Sequence, residues 1–222
     1  MEVSFSNSRG SVEGKVGIDP QVIRSQVRDT ARVLLMENTS QLSRAPDALQ
    51  AIVSAAASLQ KLTRRFPSEI SLWYNLGVVH MQLGNSNVAA GAFQSALAIS
   101  PDDKIIGSAR ARALLASGFV DAAAGTMETI IRRHPADIDL LIQLGRIYES
   151  DGDVLKAYQT YRRILDLTAA PPPDVYVLPL RTGLDLGRQA EALIHIRGYM
   201  AHGGDPAAID GLRNKLARGS PR

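Results

Sequence analysis

The sequence predicts an all-α chain, folded as a right-handed superhelical solenoid of antiparallel helix pairs. Three observations on its 222 residues predict this. Pro67, Pro101 and Pro135 fall at steps of 34 residues. Gly84, Gly118 and Gly152 keep the same step, and Gly187 follows 35 residues later. Ala89, Ala123 and Ala157 do likewise, with Ala192 five residues after Gly187. Three residue types on one period mark a repeat in which each unit buries its apolar face only against its neighbours.

Each marker has a physical task. The glycine ends the first helix of a unit in a left-handed cap, a conformation costly for residues with a Cβ. Small residues stand where two helices nearly touch: Gly77 with Ala89, Ala111 with Ala123, Gly145 with Ala157. Large ones fill the seam: Leu76 with Phe93 and Leu144 with Tyr161. Proline cannot continue the second helix and stops the unit.

Within Leu72–Pro101 the residues Trp73, Leu76, Gly77 and His80 read W-x2-L-G-x2 followed by a ring, with Ala89, Phe93, Ala96 and a closing Pro101. This stretch resembles the tetratricopeptide repeat, a helix–turn–helix unit of 34 residues. Residues 70–103, 104–137 and 138 to about 171 form three repeats, and about 174–208 a degenerate fourth. Departures from the family pattern carry expectations. Trp73 becomes Gly107 and Leu141, and Leu76 becomes Arg110 at a seam position. Ala96 becomes Ile130 and Ile164, which should spread the local packing. Ala-Ala-Pro-Pro-Pro at 169–173 lengthens the third unit, and Pro179 should shorten, kink or shift the first helix of the fourth.

The flanks complete the division of the chain. Residues 1–18 are rich in Ser and Gly and are read as a disordered tail, too poor in apolar side chains to offset chain entropy. Residues 19–69 form an N-terminal helical cap. Asp19-Pro20 starts a helix reaching about residue 43, and Pro46-Asp47 starts another with Leu49, Ile52, Val53, Ala56, Leu59 and Leu62 along one face. Residues 172–210 hold the fourth unit and the C-terminal cap, followed by a basic end, 211–222. There Asp205-Pro206 opens a helix with Ile209, Leu212 and Leu216 on its docking side and Arg213, Lys215, Arg218 and Arg222 on the other.

Composition excludes several classes. A net charge of +3 is too small to imply nucleic acid, and no aromatic residues are interleaved among the basic ones for stacking. The pairs Arg64-Arg65 and Arg132-Arg133 suit the negative end of a helix dipole. The chain has no cysteine, hence no disulfide framework or thiolate metal site, and no apolar run long enough to span a membrane. No signal-peptide core is seen near the N-terminus, so the expected address is cytoplasmic, with a periplasmic one open if a leader was removed.

Motifs for chemistry are missing. Gly10 to Val16 falls one residue short of a phosphate loop and ends in valine instead of Ser/Thr. The histidines, His80, His134, His195 and His202, form no ligand pair, and Asp151-Gly152-Asp153 has its glycine misplaced for a calcium loop. No nucleophile elbow is present. The expectation is therefore no enzyme, with no catalytic residue, no cofactor and no metal.

The family resemblance implies a concave groove lined by the first helices, open to a peptide or segment of another protein. Its positions here are Ser71, Tyr74, Asn75, Val78, Met81 and Gln82 in the first repeat. The second offers Ile105, Ser108, Ala109, Arg112, Leu115 and Ala116, and the third Asp139, Ile142, Gln143, Arg146, Glu149 and Ser150. The subset that clamps chaperone C-termini is similar only at Asn75. Its clamp residues become Ile105 and Ala109, with Ser40 and Arg44 in the preceding unit, which argues against that ligand. Arg112 and Arg146, one repeat apart, are expected to grip an acidic or amide-rich segment, the alternative being Arg146 paired with Glu149 or Asp139 and Arg112 simply solvated. The expected function is an interaction adaptor or scaffold, with an accessory subunit of an enzyme on another chain as the alternative. A nucleic-acid binder using basic edges ranks below both, and self-association stays open.

Overall fold

The computed structural model describes residues 46–219. The tail expected at 1–18, the helix expected from Asp19, the phosphate-loop-like stretch, Ser40, Arg44 and Arg222 lie outside the described residues. Ten α-helices and one 3-10 turn follow in chain order, with no strand among the described residues. They are α1 (Pro46–Arg65), α2 (Ile70–Gln82), α3 (Ser86–Ile99), α4 (Lys104–Ala116), α5 (Val120–Arg133) and α6 (Ile138–Asp151). Then come α7 (Val154–Leu167), α8 (Pro173–Asp185), α9 (Gln189–Ala201), the 3-10 turn Pro206–Ile209 and α10 (Asp210–Gly219). By contact the chain divides into two units, residues 1–75 and 76–222.

In the N-terminal unit, α1 buries Ile52, Ala56, Leu59 and Thr63, whose Oγ1 donates to the Gln60 carbonyl at 3.0 Å. The expected face of α1 is corrected here. Leu49 and Val53 stand exposed and Leu62 is half-buried, while a threonine supplies the last buried rung. Its hydroxyl is accommodated because the backbone of its own helix accepts the proton. The indole of Trp73 donates to the Pro67 carbonyl at 2.7 Å, tying the start of α2 to the end of α1.

In the C-terminal unit each helix packs on the next in the chain, from α3 through α9, and the first helices α4 and α6 also touch. This is an all-α solenoid of tandem helix pairs. Gly84, Gly118, Gly152 and Gly187 all have φ between 70° and 80°, the left-handed turn that separates the two helices of each pair. Asp103, Asp137 and Asp153 cap the helices that follow them by accepting backbone N–H bonds, at 2.9 Å from Ile105, 3.2 Å from Leu140 and 3.0 Å from Lys156.

The seam is tighter than the Leu–aromatic pairing suggests. The Phe93 ring lies over Gly77 and the Tyr161 ring over Gly145, where a Cβ would come within 2.6–2.8 Å of several ring carbons. Glycine lets the aromatic ring lie almost on the helix backbone. Ile130 fills the space over Gly107, whose added Cβ would meet its Cγ1 at 2.5 Å. The loss of a large residue at 107 and its gain at 130 are one compensated exchange of volume.

Arg110 at the seam reaches along its stem to donate from Nη1 to Thr126 Oγ1. Its Nε is buried with no partner, and burial holds its guanidinium below the usual arginine range. Pro179 does not shorten α8, which runs 13 residues like α2 and α4. Leu180, Leu184, Ala192, Tyr199, Ile209 and Leu216 form the closing core, so the 3-10 turn and α10 cover the last pair. Burying these side chains outweighs the hydrogen bond that proline withholds from the helix. The basic side of α10 is partly neutralised, Arg213 by Asp210 and Lys215 by Asp185.

Candidate interaction groove

The first helices α4 and α6 enclose an open concavity of about 510 Å³. From α4 it takes Lys104, Ile105, Ser108, Ala111, Arg112 and Leu115, and from α6 and its cap Asp137, Asp139, Leu140, Gln143, Arg146 and Ile147. Helical periodicity explains the set: Ile105, Ser108, Arg112 and Leu115 recur every three or four residues and so share a face of α4. Ile105 is 64% exposed, an apolar side chain presented at the rim.

Charge is arranged unevenly in this concavity. At one end Lys104 Nζ lies 2.6 Å from Asp137 Oδ2. That hydrogen bond holds the Asp137 carboxyl below its ordinary value and the Lys104 ammonium above its own. Arg112 and Arg146 are exposed and form no ion pair among the described residues. Glu149, the nearest candidate partner for Arg146 on its own helix, is engaged elsewhere. It accepts from the Tyr161 hydroxyl at 2.7 Å and from Arg181 Nη2 at 2.6 Å. Burial and that carboxylate together push the Tyr161 hydroxyl upward.

Of the residues expected from sequence, the structure gathers Ser108, Arg112, Gln143 and Arg146 around this concavity, with Ile105, Leu115 and Asp139. Glu149 lies outside its lining, and Ala109 is buried in the helix contact. Val78 and Met81 are half-buried on α2 and are not part of the lining. Tyr74 and Asn75 are half-buried in the N-terminal unit. Sequence reasoning missed Lys104 and Asp137 at the end of the concavity and Ala111, Leu140 and Ile147 in its lining. Lys104 and Asp137 occupy the two ends of one 34-residue unit, a spacing that the repeat register already contains.

No histidine forms part of this lining. His80 is half-buried with its Nδ1 unpartnered, and burial lowers its pKa. Among the described residues no group of acidic and histidine side chains could hold a metal ion. None of the described helices is long and apolar enough to cross a membrane.

A family model described as tetratricopeptide repeat matches residues 54–104 and 108–174, more than half of the chain. The chain belongs to the tetratricopeptide repeat family. No curated protein matches this tetratricopeptide repeat chain significantly. Solved structures give the same fold at low identity. MamA residues 41 to the end from Desulfovibrio magneticus RS-1 is 18% identical with a TM-score of 0.58, over 80% of this chain and 93% of that one. A MamA RS-1 double mutant is 17% identical with a TM-score of 0.61, over 84% and 95%. A further MamA crystal structure is 16% identical with a TM-score of 0.59, over 90% and 96%. A tetratricopeptide repeat solenoid of this kind is a protein-interaction scaffold, a fold type that is typically non-catalytic.

Proposed function

We infer that this protein is an adaptor whose α4–α6 concavity holds an acidic segment of a partner protein. One observation carries the reading. Two exposed guanidiniums with no ion pair among the described residues, Arg112 and Arg146, stand at the same position of successive first helices and open on the same concavity. Packed helices lie about 8–10 Å apart, so both forks can reach neighbouring carboxylates of one segment. Ser108 and Gln143 add hydroxyl and amide groups for its backbone, and Ile105 and Leu115 offer apolar surface for a flanking side chain.

The test is calorimetric titration of the copurified partner against wild type and Arg112→Glu/Arg146→Glu, with circular dichroism as folding control. Exposed changes of this kind leave stability within about 0.5 kcal/mol. Each charge-assisted hydrogen bond lost from the complex costs about 1.5–3 kcal/mol, and charge reversal adds repulsion. Affinity in the double mutant should therefore drop by two orders of magnitude or more, about 3 kcal/mol. Unchanged affinity in a folded double mutant refutes the reading. A catalytic partner in the pull-down would assign the chain to an enzyme complex, and nuclease-sensitive recovery would point to nucleic acid.

A further inference from the structure

The second helices carry a different charged feature at the junction of the third and fourth repeats. Tyr158, Gln159, Arg162, Arg163 and Asp166 of α7 and Arg188, which caps α9, line a cavity of about 260 Å³. Three guanidiniums meet two carboxylates there, Asp166 in the lining and Glu191 beside Arg188. Arg188 Nη1 donates to both carboxylate oxygens of Glu191 at 3.2 Å, and its guanidinium lies 5.0 Å from the centre of the Tyr158 ring. Glu191 also accepts from the Tyr158 hydroxyl. Arg163 donates one N–H to the Pro135 carbonyl at 2.9 Å. Arg162 forms no ion pair among the described residues. A guanidinium has five N–H donors, so most donors around this cavity remain unspent.

Holding the repeats together does not require this charge. One repeat earlier the corresponding residues are Ala124, Gly125, Glu128, Thr129, Arg132 and, before the following second helix, Asp153. There Glu128 and Asp153 meet Arg132 and Lys156, whose Nζ lies 2.9 Å from Asp153 Oδ2, and the junction is stapled by the Tyr148 hydroxyl donating to Glu128 at 2.5 Å. The earlier junction thus balances two acids with two bases, whereas this one holds three guanidiniums against two carboxylates. Arg162 and Arg163 are adjacent in sequence and neither forms an ion pair among the described residues, so an anion between them would offset their repulsion. Planar guanidinium forks match the oxygens of phosphate better than a single ammonium would.

We propose that the cavity bounded by Arg162, Arg163 and Arg188 binds a phosphate group, either free phosphate or the phosphorylated side chain of a partner protein. Arg162 and Arg163 are exposed, so the ligand enters from solvent, and the cavity shares no lining residue with the α4–α6 concavity.

The test is calorimetric titration of the full chain with inorganic phosphate and, separately, with O-phosphoserine, at constant ionic strength against chloride. Saturable binding of either probe is expected. Arg162→Gln should weaken it by about tenfold, the value of one charge-assisted hydrogen bond. Arg112→Glu/Arg146→Glu should leave it unchanged, which separates this site from the groove. Stronger binding of phosphoserine identifies a modified partner side chain, and stronger binding of inorganic phosphate the free anion. Should Arg162→Gln lose helicity, Gln159→Glu places a carboxylate in the lining from an exposed position and is expected to weaken binding similarly. No heat beyond the chloride control, or equal affinity in a folded variant, overturns the proposal.

Discussion

Gly145→Ala should destabilise this protein, although glycine-to-alanine changes inside helices ordinarily stabilise it. Removing the conformational freedom of a helical glycine gains about 0.5–1 kcal/mol. At residue 145, in the middle of α6, the new methyl would stand 2.6 Å from Tyr161 Cζ and 2.7 Å from Cδ1. Carbon atoms rest at about 3.5–4.0 Å, so the ring would have to retreat by about 1 Å. It has little room to do so. Tyr161 is fully buried, and its hydroxyl is tethered to Glu149, which Arg181 of the next repeat also holds. Overpacking of this kind costs about 1–3 kcal/mol, and a strained hydroxyl contact adds about 1 kcal/mol. The net expectation is a loss of about 1–3 kcal/mol after the helix propensity gain is set against it. Gly91→Ala is the matched control. Gly91 sits in the middle of α3 with nothing within 4 Å of an added Cβ, so only the propensity gain applies. Urea unfolding followed by circular dichroism should move the two midpoints in opposite directions. A Gly145→Ala protein as stable as wild type would refute the claim that this glycine sets the helix spacing.

Arg110→Leu restores the residue type found at Leu76 and Leu144 and removes a half-buried guanidinium with an unpartnered Nε. Thr126 keeps its bond to the Ala122 carbonyl at 2.8 Å, so the urea midpoint should rise, by about 1 kcal/mol in stability. His195 gives a pH dependence. It is 5% exposed, packed against Tyr158 with Glu191 and Arg162 nearby, and burial lowers its pKa from 6.5, opposed by Glu191. The unfolded chain therefore takes up the proton first, so stability is complete above pH 6.5 and declines as pH falls below it. Urea midpoints measured from pH 7.5 down to 5 should show this decline, and His195→Gln should reduce it, leaving the part that the similarly lowered His80 contributes.

The period of 34 residues was enough to give the fold class, the helix pairs and the left-handed glycine turns. Each of those features depends on a residue meeting its own helix or the adjacent one. Gly84, Gly118 and Gly152 announce a turn wherever they stand, because only a residue without a Cβ adopts positive φ at little cost. The groove-facing turns of α4 were legible for the same reason, since a helix face is fixed by spacing alone. The exchange at 107 and 130 was not, because each departure read alone looks like a defect and only their contact makes them complementary. Nor was the choice of partner for Glu149. Arg146, Tyr161 and Arg181 are all donors near its carboxylate, and the packing of the third repeat on the fourth brings Arg181, 32 residues away, within 2.6 Å. The same packing gathers Arg162, Arg163 and Arg188 around one cavity. Local spacing determines which residues share a face, whereas which charges meet across repeats follows from side-chain packing between helices, which only the tertiary structure decides.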